Sequence, residues 1–361
     1  MAVIRADNIS VGYGKVTVAG GISFEVQSGE VLTLIGANGA GKSTVLKSIA
    51  AQLPLLSGTA YIGEKSISDI SERELAKELS LVLTERIHAE RMTCRDVVAT
   101  GRYPYTGRLG ILSDVDNKAV DEAMALTGVT HLSGNDFRFI SDGQRQCIML
   151  ARAIAQQPSV MLLDEPTSFL DIGHKLELLT LLRRLAREKN IAVIQSLHEL
   201  DLAQRFSDRL LCIRDRKADR LGTPEEIFTD GYIDRLYGIE SGTFDSLYGT
   251  AEPLAHKEKP QVFVIGGGGA GIAVYRRLWR QNIPFAAGVI PENDIEFPAA
   301  KALASEIVTE KAFEPISEES AERAMAIMTE CREVICCVSR IGVLNTNIQR
   351  LVDYYENKKG I

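Results

Sequence analysis

No run in this 361-residue chain approaches the roughly 20 uninterrupted apolar residues that a bilayer-spanning helix requires. The most apolar stretch, Val262 to Tyr275, is too short and is broken by five glycines. The opening residues, Met1-Ala2-Val3-Ile4-Arg5-Ala6-Asp7, lack the basic start and apolar block of a secretory signal, so a cytoplasmic protein is expected. An excess of positive charge is also missing. The 41 Lys and Arg stand against 48 Asp and Glu, a net charge of −7, which gives no overall footprint for nucleic acid. Cys94, Cys147, Cys212, Cys331, Cys336 and Cys337 are scattered without a CxxC pair. They read as reduced thiols rather than as a disulfide framework or a zinc site. Internal repeats and low-complexity tracts are absent, and 45% hydrophobic with 25% charged residues is the ordinary mix of a globular chain.

What is present is an alternation of short apolar runs with amphipathic stretches, the pattern of α/β architecture. Ser23-Phe24-Glu25-Val26-Gln27 alternates in period two and predicts antiparallel strands at the start. Buried strands are expected at Val31 to Gly36, Leu79 to Leu83, Val160 to Asp164, Ile191 to Leu197 and Arg209 to Ile213, with helices between them. Near residue 240 the pattern breaks, and the charged cluster His256-Lys257-Glu258-Lys259-Pro260 marks a boundary. The chain therefore divides into residues 1–257 and a smaller α/β domain, 258–361.

Gly36-Ala37-Asn38-Gly39-Ala40-Gly41-Lys42-Ser43-Thr44 follows a strand and opens a helix, and it satisfies GxxxxGK[ST]. Glycines there let backbone N–H groups curl around a phosphate, with the helix N-terminus adding its dipole. Lys42 can reach the β and γ phosphates, and the Ser43 hydroxyl can ligate Mg²⁺. A second carboxylate pair ends the apolar strand Val160-Met161-Leu162-Leu163-Asp164-Glu165. Asp164 suits Mg²⁺, and Glu165 suits a base that orients or deprotonates water.

With these motifs, residues 1 to about 240 resemble the ATP-binding subunits of ABC transporters. The resemblance implies a P-loop ATPase fold with an antiparallel β subdomain, an α/β core and a helical subdomain. It also implies hydrolysis of ATP with Mg²⁺ by a homodimer docked beneath membrane-spanning permease subunits, on the inner face of the membrane. A periplasmic or extracellular substrate-binding protein is then an indirect partner, and nucleic acid is not expected as one. Carried over residue by residue, Tyr13 stacks on adenine. Ser141, Gly143 and Gln144 contact the ATP held by the opposite protomer. Asp171 lies in the loop that crosses the dimer interface, and His198 touches the γ-phosphate. Two departures stand out. Asp142 replaces the first glycine of the signature segment Ile140-Ser141-Asp142-Gly143-Gln144. Glu85 stands where the family carries a Gln, placed to help hold Mg²⁺ or its water.

Gly101-Arg102-Tyr103-Pro104 and Gly222-Thr223-Pro224-Glu225-Glu226 are similar to segments of the importers for iron-siderophore, haem and vitamin B12. The competing reading is a soluble ABC ATPase acting on nucleic acid or ribosomes, or one serving another substrate. Such soluble proteins usually carry tandem halves or a coiled-coil insert, and neither is seen. In the extension, Gly266, Gly268 and Gly271 fit GxGxxG at a strand-to-helix turn, as in a Rossmann unit, and Glu292 and Asp294 follow near the distance of a ribose-binding acid. The extension reads either as a cofactor-binding domain or as a glycine-packed regulatory or dimerising one.

Overall fold

The period-two alternation at the N-terminus folds as read. Strands β1 (Ala2–Tyr13) and β2 (Val16–Gln27) form an antiparallel pair in which Phe24 and Val26 point into the core opposite Ala6 and Ile4, while Ser23 and Glu25 face out. The computed structural model describes residues 2–83, 91–107 and 110–359. Within it the chain falls into two units, Met1–Tyr237 and Gly238–Ile361.

In the first unit the chain continues as β3 (Val31–Ile35), α1 (Lys42–Ile49), β4 (Ser57–Ile62), β5 (Lys65–Ser66), α2 (Glu72–Glu78) and β6 (Leu79–Val82). A helical segment follows, α3 (Cys94–Ala99), α4 (Asp114–Leu126) and α5 (Asp142–Ala155), whose members pack on one another. The chain then runs β7 (Val160–Asp164), α6 (Ile172–Lys189), β8 (Ala192–Ser196), α7 (Leu200–Phe206), β9 (Arg209–Arg214), β10 (Lys217–Gly222), α8 (Pro224–Ile227) and α9 (Tyr232–Tyr237). Among the described residues the strands order β5-β4-β1-β2-β10-β9-β3-β8-β7-β6. The first four form the antiparallel part, and β9, β3, β8, β7 and β6 run parallel. β3, β7 and β8 are buried along their whole length, as strands covered on both faces must be. Helix α1 presses Val45, Leu46 and Ile49 onto this sheet.

The importer-like segment Gly101-Arg102 is a piece of fold. Arg102, 3% exposed, pairs with buried Asp116 of α4 at 2.9 Å and donates to Ala155 O and Gln157 Oε1 at 2.7 and 3.1 Å. A Cβ on Gly101 would lie 2.2 Å from the Arg152 carbonyl, so only glycine lets this turn touch α5. The other segment forms α8, where Thr223 and Glu226 make a reciprocal cap and Pro224 opens the first turn.

The second unit begins with a hairpin, β11 (Gly242–Asp245) and β12 (Thr250–Pro253). It goes on through β13 (Val262–Ile265), α10 (Ile272–Arg280), β14 (Phe285–Pro291), α11 (Phe297–Leu303), β15 (Glu306–Glu310), α12 (Glu318–Glu330), β16 (Glu333–Cys336) and α13 (Gln349–Lys359). Its four-stranded sheet is all parallel in the order β15-β14-β13-β16. Successive residues of β13 serve opposite faces. Phe263 and Ile265 join a cluster with Ala324 and Met328 of α12, and Val262 and Val264 join one with Tyr275 and Leu278 of α10. The division thus falls ahead of the hairpin, which the sequence boundary at 257/258 assigns to the first domain. The hairpin goes with the second unit because Glu252 of β12 is held by Arg276 of α10. Among the described residues no helix is long and apolar enough to cross a membrane.

Candidate functional site

Strands β3, β8 and β7 lie side by side and parallel, so the turns at their carboxyl ends converge. The turn after β3 is the glycine loop. Gly36 has φ of 148° and sits so close to β9 that a Cβ would lie 2.3 Å from Ile213 O. Gly41, at φ 106°, turns the chain into α1. Lys42 leads that helix and is 5% exposed, with Nζ donating to Gly36 O at 2.7 Å and Ala37 O at 3.2 Å. Its burial pulls the ammonium below the usual lysine range, and the carboxylates of Glu165 and Asp164 act in the opposite sense. The cation is thus curled inside its own loop, held by two carbonyls. Asn38 and Gly39 are exposed at the tip, Ala40 is half-buried, and Thr44, in the first turn of α1, is buried.

The turn after β7 carries the two carboxylates in different directions, as expected of adjacent residues at a strand end. Asp164 Oδ1 accepts from the Ser43 hydroxyl at 2.9 Å and from the Ser196 hydroxyl at 2.8 Å. Glu165 has a left-handed backbone, φ 48°, and its Oε1 lies 2.5 Å from His198 Nε2. With a carboxylate as acceptor, that ring nitrogen is the donor. Ser168 donates to Glu165 Oε2 at 3.2 Å. Ser43, Asp164, Glu165 and His198, spread over more than a hundred residues, therefore form one continuous hydrogen-bonded group with Lys42 beside it.

Two members of this group escape a reading of the sequence. Ser196 stands opposite Asp164 in the β7–β8 ladder, and its Oγ both donates to Asp164 and accepts the Glu165 N–H at 2.9 Å. The Tyr237 hydroxyl accepts the Gly36 N–H at 3.2 Å. Nothing along the chain assigns either residue to the site, because strand register brings in Ser196 and the packing of α9 brings in Tyr237. Removing the Ser196 hydroxyl orphans a part-buried amide and takes a donor from buried Asp164, so Ser196→Ala should lower the unfolding free energy by about 1–3 kcal/mol in urea titrations. A change below about 0.5 kcal/mol would mean that water replaces the hydroxyl.

The remaining predicted residues sit apart from this group within one chain. Ser141 and Gln144 cap α5 reciprocally, Gln144 N–H to Ser141 Oγ at 3.2 Å and Ser141 N–H to Gln144 Oε1 at 3.0 Å. Asp142 opens that helix and approaches Arg145 at 3.8 Å. A Cβ on Gly143 would meet Leu170 at 3.3 Å, so this helix start abuts the loop that ends at Asp171. Asp171 caps α6 by accepting the His174 N–H at 2.9 Å and pairs with the His174 ring at 2.8 Å. Tyr13 ends β1 with 54% of its surface exposed. Glu85 lies outside the described residues.

The ABC transporter family model matches residues 19–168, and the MJ0874 family model matches residues 285–361. An uncharacterized ABC transporter ATP-binding protein of Methanocaldococcus jannaschii is 42% identical over 290 residues, 79% of this chain and 99% of that protein. The ferric enterobactin transport ATP-binding protein of Escherichia coli is 36% identical, covering 68% of this chain and 90% of its own length. The cobalamin import ATP-binding protein of Halobacterium salinarum is 31% identical, with 86% of this chain and 79% of that protein aligned. In fold, an ATP-binding cassette of an ABC transporter solved in its ADP conformation superposes with a TM-score of 0.60 over 66% of this chain and 100% of that one, at 22% identity. With 42% identity to a relative aligned over 99% of its length, and with the phosphate loop and carboxylate strand assembled as described, this chain belongs to the ATP-binding proteins of ABC transporters, the ATP-hydrolysing subunits of these machines.

Proposed function

We propose that the protein hydrolyses ATP at the Lys42–Asp164–Glu165–His198 group to power an importer for a metal chelate of the iron-siderophore, haem or cobalamin kind. The observation that carries the catalytic part is the contact of Ser43 with Asp164 at 2.9 Å, because it brings the phosphate loop onto the carboxylate strand. The importer reading draws on the ferric enterobactin and cobalamin relatives. Incoming phosphates take the N–H groups of residues 38 to 44, and Lys42 Nζ exchanges its two carbonyls for phosphate oxygens. Buried in low dielectric, that cation interacts with the polyphosphate far more strongly than it would in water. Tyr13, exposed at the strand end, is free to lie against adenine.

Ser43 and Asp164 offer a hydroxyl and a carboxylate oxygen, the hard donors that Mg²⁺ prefers, and these two side chains would hold it. The residues fit the ion, which when bound neutralises charge on the β and γ phosphates. Glu165 accepts a proton from water aimed at the γ-phosphorus, while its bond to His198 holds the carboxylate in place. The backbone turn at Glu165, pinned by Ser196, sets the direction of that carboxylate.

A second copy completes each site. Ser141 Oγ accepts in the helix cap, so its O–H proton remains able to donate to a phosphate across the interface, beside the Gly143 backbone and Gln144. Asp171 then lies at the crossing. The dimer sits beneath permease subunits on the inner face of the membrane, fed by a substrate-binding protein on the far side. Lys42→Ala should weaken ATP binding itself by tenfold or more, since a charge–phosphate contact contributes about 1.5–3 kcal/mol. Titration calorimetry with ATP and Mg²⁺ checks this, and unchanged affinity would remove Lys42 from the site. The transport reading is tested by co-purification with the permease and by ATPase stimulation with ferric siderophore, haem or cobalamin. Stimulation by none of them would reject it.

A further inference from the structure

The glycine turn of the second unit has the spacing of a dinucleotide fingerprint, yet its backbone donors are already taken from within the chain. Glu296, 0% exposed, accepts Gly267 N–H and Gly271 N–H through Oε2, each at 3.0 Å, and the Tyr275 hydroxyl through Oε1. Asp294 accepts Gly268 N–H through Oδ2 at 2.7 Å and Glu296 N–H through Oδ1 at 2.9 Å. A Cβ on Gly266 or Gly271 would fall 2.0 or 2.2 Å from Glu296 Oε1, so these glycines make room for a carboxylate rather than for a ligand. Two internal anions thus occupy the position a pyrophosphate needs. A phosphorylated ligand would meet their charge and find the N–H groups engaged.

The same turn nevertheless floors a cavity of about 630 Å³. Its walls are the carboxyl ends of three neighbouring parallel strands, Gly266–Gly268 after β13, Asn293–Ile295 after β14 and Val338–Arg340 after β16. β14 and β16 flank β13, so the connections depart to opposite sides there and leave a crevice, where open α/β sheets hold their ligands. Phe313, Ile316 and Leu344 line it with apolar surface, and Asp294, Ser339 and Asn345 line it with polar groups. Arg340 and Glu314 also line it and carry opposite charges.

We infer that this cavity binds a phosphate-free nucleoside, with its ring against the Phe313 and Ile316 wall and its sugar hydroxyls donating to the Asp294 carboxylate. A carboxylate is acceptor-only and suits a vicinal diol, and the volume lies in the range of small-ligand pockets. The acid near the end of β14 therefore meets the glycine turn as well as the expected diol, which is why the turn takes no phosphate.

The test is equilibrium dialysis of the full chain with labelled adenosine and, separately, labelled NAD, both with excess ADP to fill the phosphate loop of the first unit. ADP occupancy is measured independently in the same samples, so a fault in that first site shows itself apart from this one. Adenosine should bind saturably and NAD should not. Asp294→Asn should weaken adenosine binding about tenfold or more, the usual effect of losing a charged hydrogen-bond partner. Phe313 is 83% exposed, so Phe313→Ala leaves the core intact and should weaken binding several-fold. Saturable NAD binding, no saturable adenosine binding, or adenosine binding indifferent to both substitutions would each overturn the assignment.

Discussion

Glu165→Gln should bind ATP as tightly as the parent protein and hydrolyse it about 10²–10⁴-fold more slowly, the usual size of a general-base contribution. The substitution keeps the shape of the side chain, and Gln Oε1 still accepts from the His198 ring that lies 2.5 Å from it in the parent. The left-handed turn at position 165 and its Ser196 cap are backbone features, so they persist. What is lost is a group able to take a proton from water. Binding and hydrolysis should therefore separate, with ATP-bound dimer accumulating on size-exclusion chromatography. Near-normal turnover in the purified variant would remove Glu165 from the role of base. Equal loss of affinity and rate would point instead to a collapsed turn.

Arg102→Ala should destabilise the first unit by about 3–5 kcal/mol, because it leaves a buried carboxylate without its cation. Arg102 and Asp116 have side chains 3% and 8% exposed and meet at 2.9 Å, and the guanidinium also reaches two acceptors at the end of α5. Asp116 retains the Ser113 N–H and hydroxyl, which already hold its carboxyl below the usual range. It therefore stays charged when the arginine is gone. Arg102→Lys should recover only part of the loss, since an ammonium cannot reproduce the planar fork. The only tryptophan, Trp279, lies in α10 of the second unit, so its fluorescence reports that unit during urea unfolding. Loss of ATP binding should move to lower urea while the tryptophan transition stays in place. A shift under about 1 kcal/mol would show that water reaches the Asp116 site.

Much of the molecule was legible along the chain, since its signals are local. β7 falls at the residues that its apolar run marks, Val160 to Asp164, and α6 starts at Ile172, where Asp171 caps it. Helix α5 begins at Asp142 because Ser141 is the cap. Helix α12 went unread for a physical reason: two of its three buried positions are Ala321 and Ala324, too small to raise an apolar stripe above the charged residues around them. The hairpin β11–β12 went unread because its run of Gly, Ser, Thr and Pro has the composition of a linker, and only pairing makes it a sheet.

The site divides along the same line. The sequence by itself determined the phosphate loop and the paired carboxylates, because each chemistry needs its residue type at a fixed spacing beside a strand or helix, whereas His198 was pointed to only by the family resemblance. Only the tertiary structure decided that Ser43 meets Asp164, that Ser196 binds both carboxylate residues, and that Arg102 of an importer-like segment serves the helical core. It also decided the fate of the second glycine turn. A GxGxxG spacing specifies a tight turn with inward N–H groups, but which anion fills them depends on what the next strand's end brings near. Here that strand end brings Asp294 and Glu296, and carboxylates from the chain itself bind where a phosphate would otherwise go.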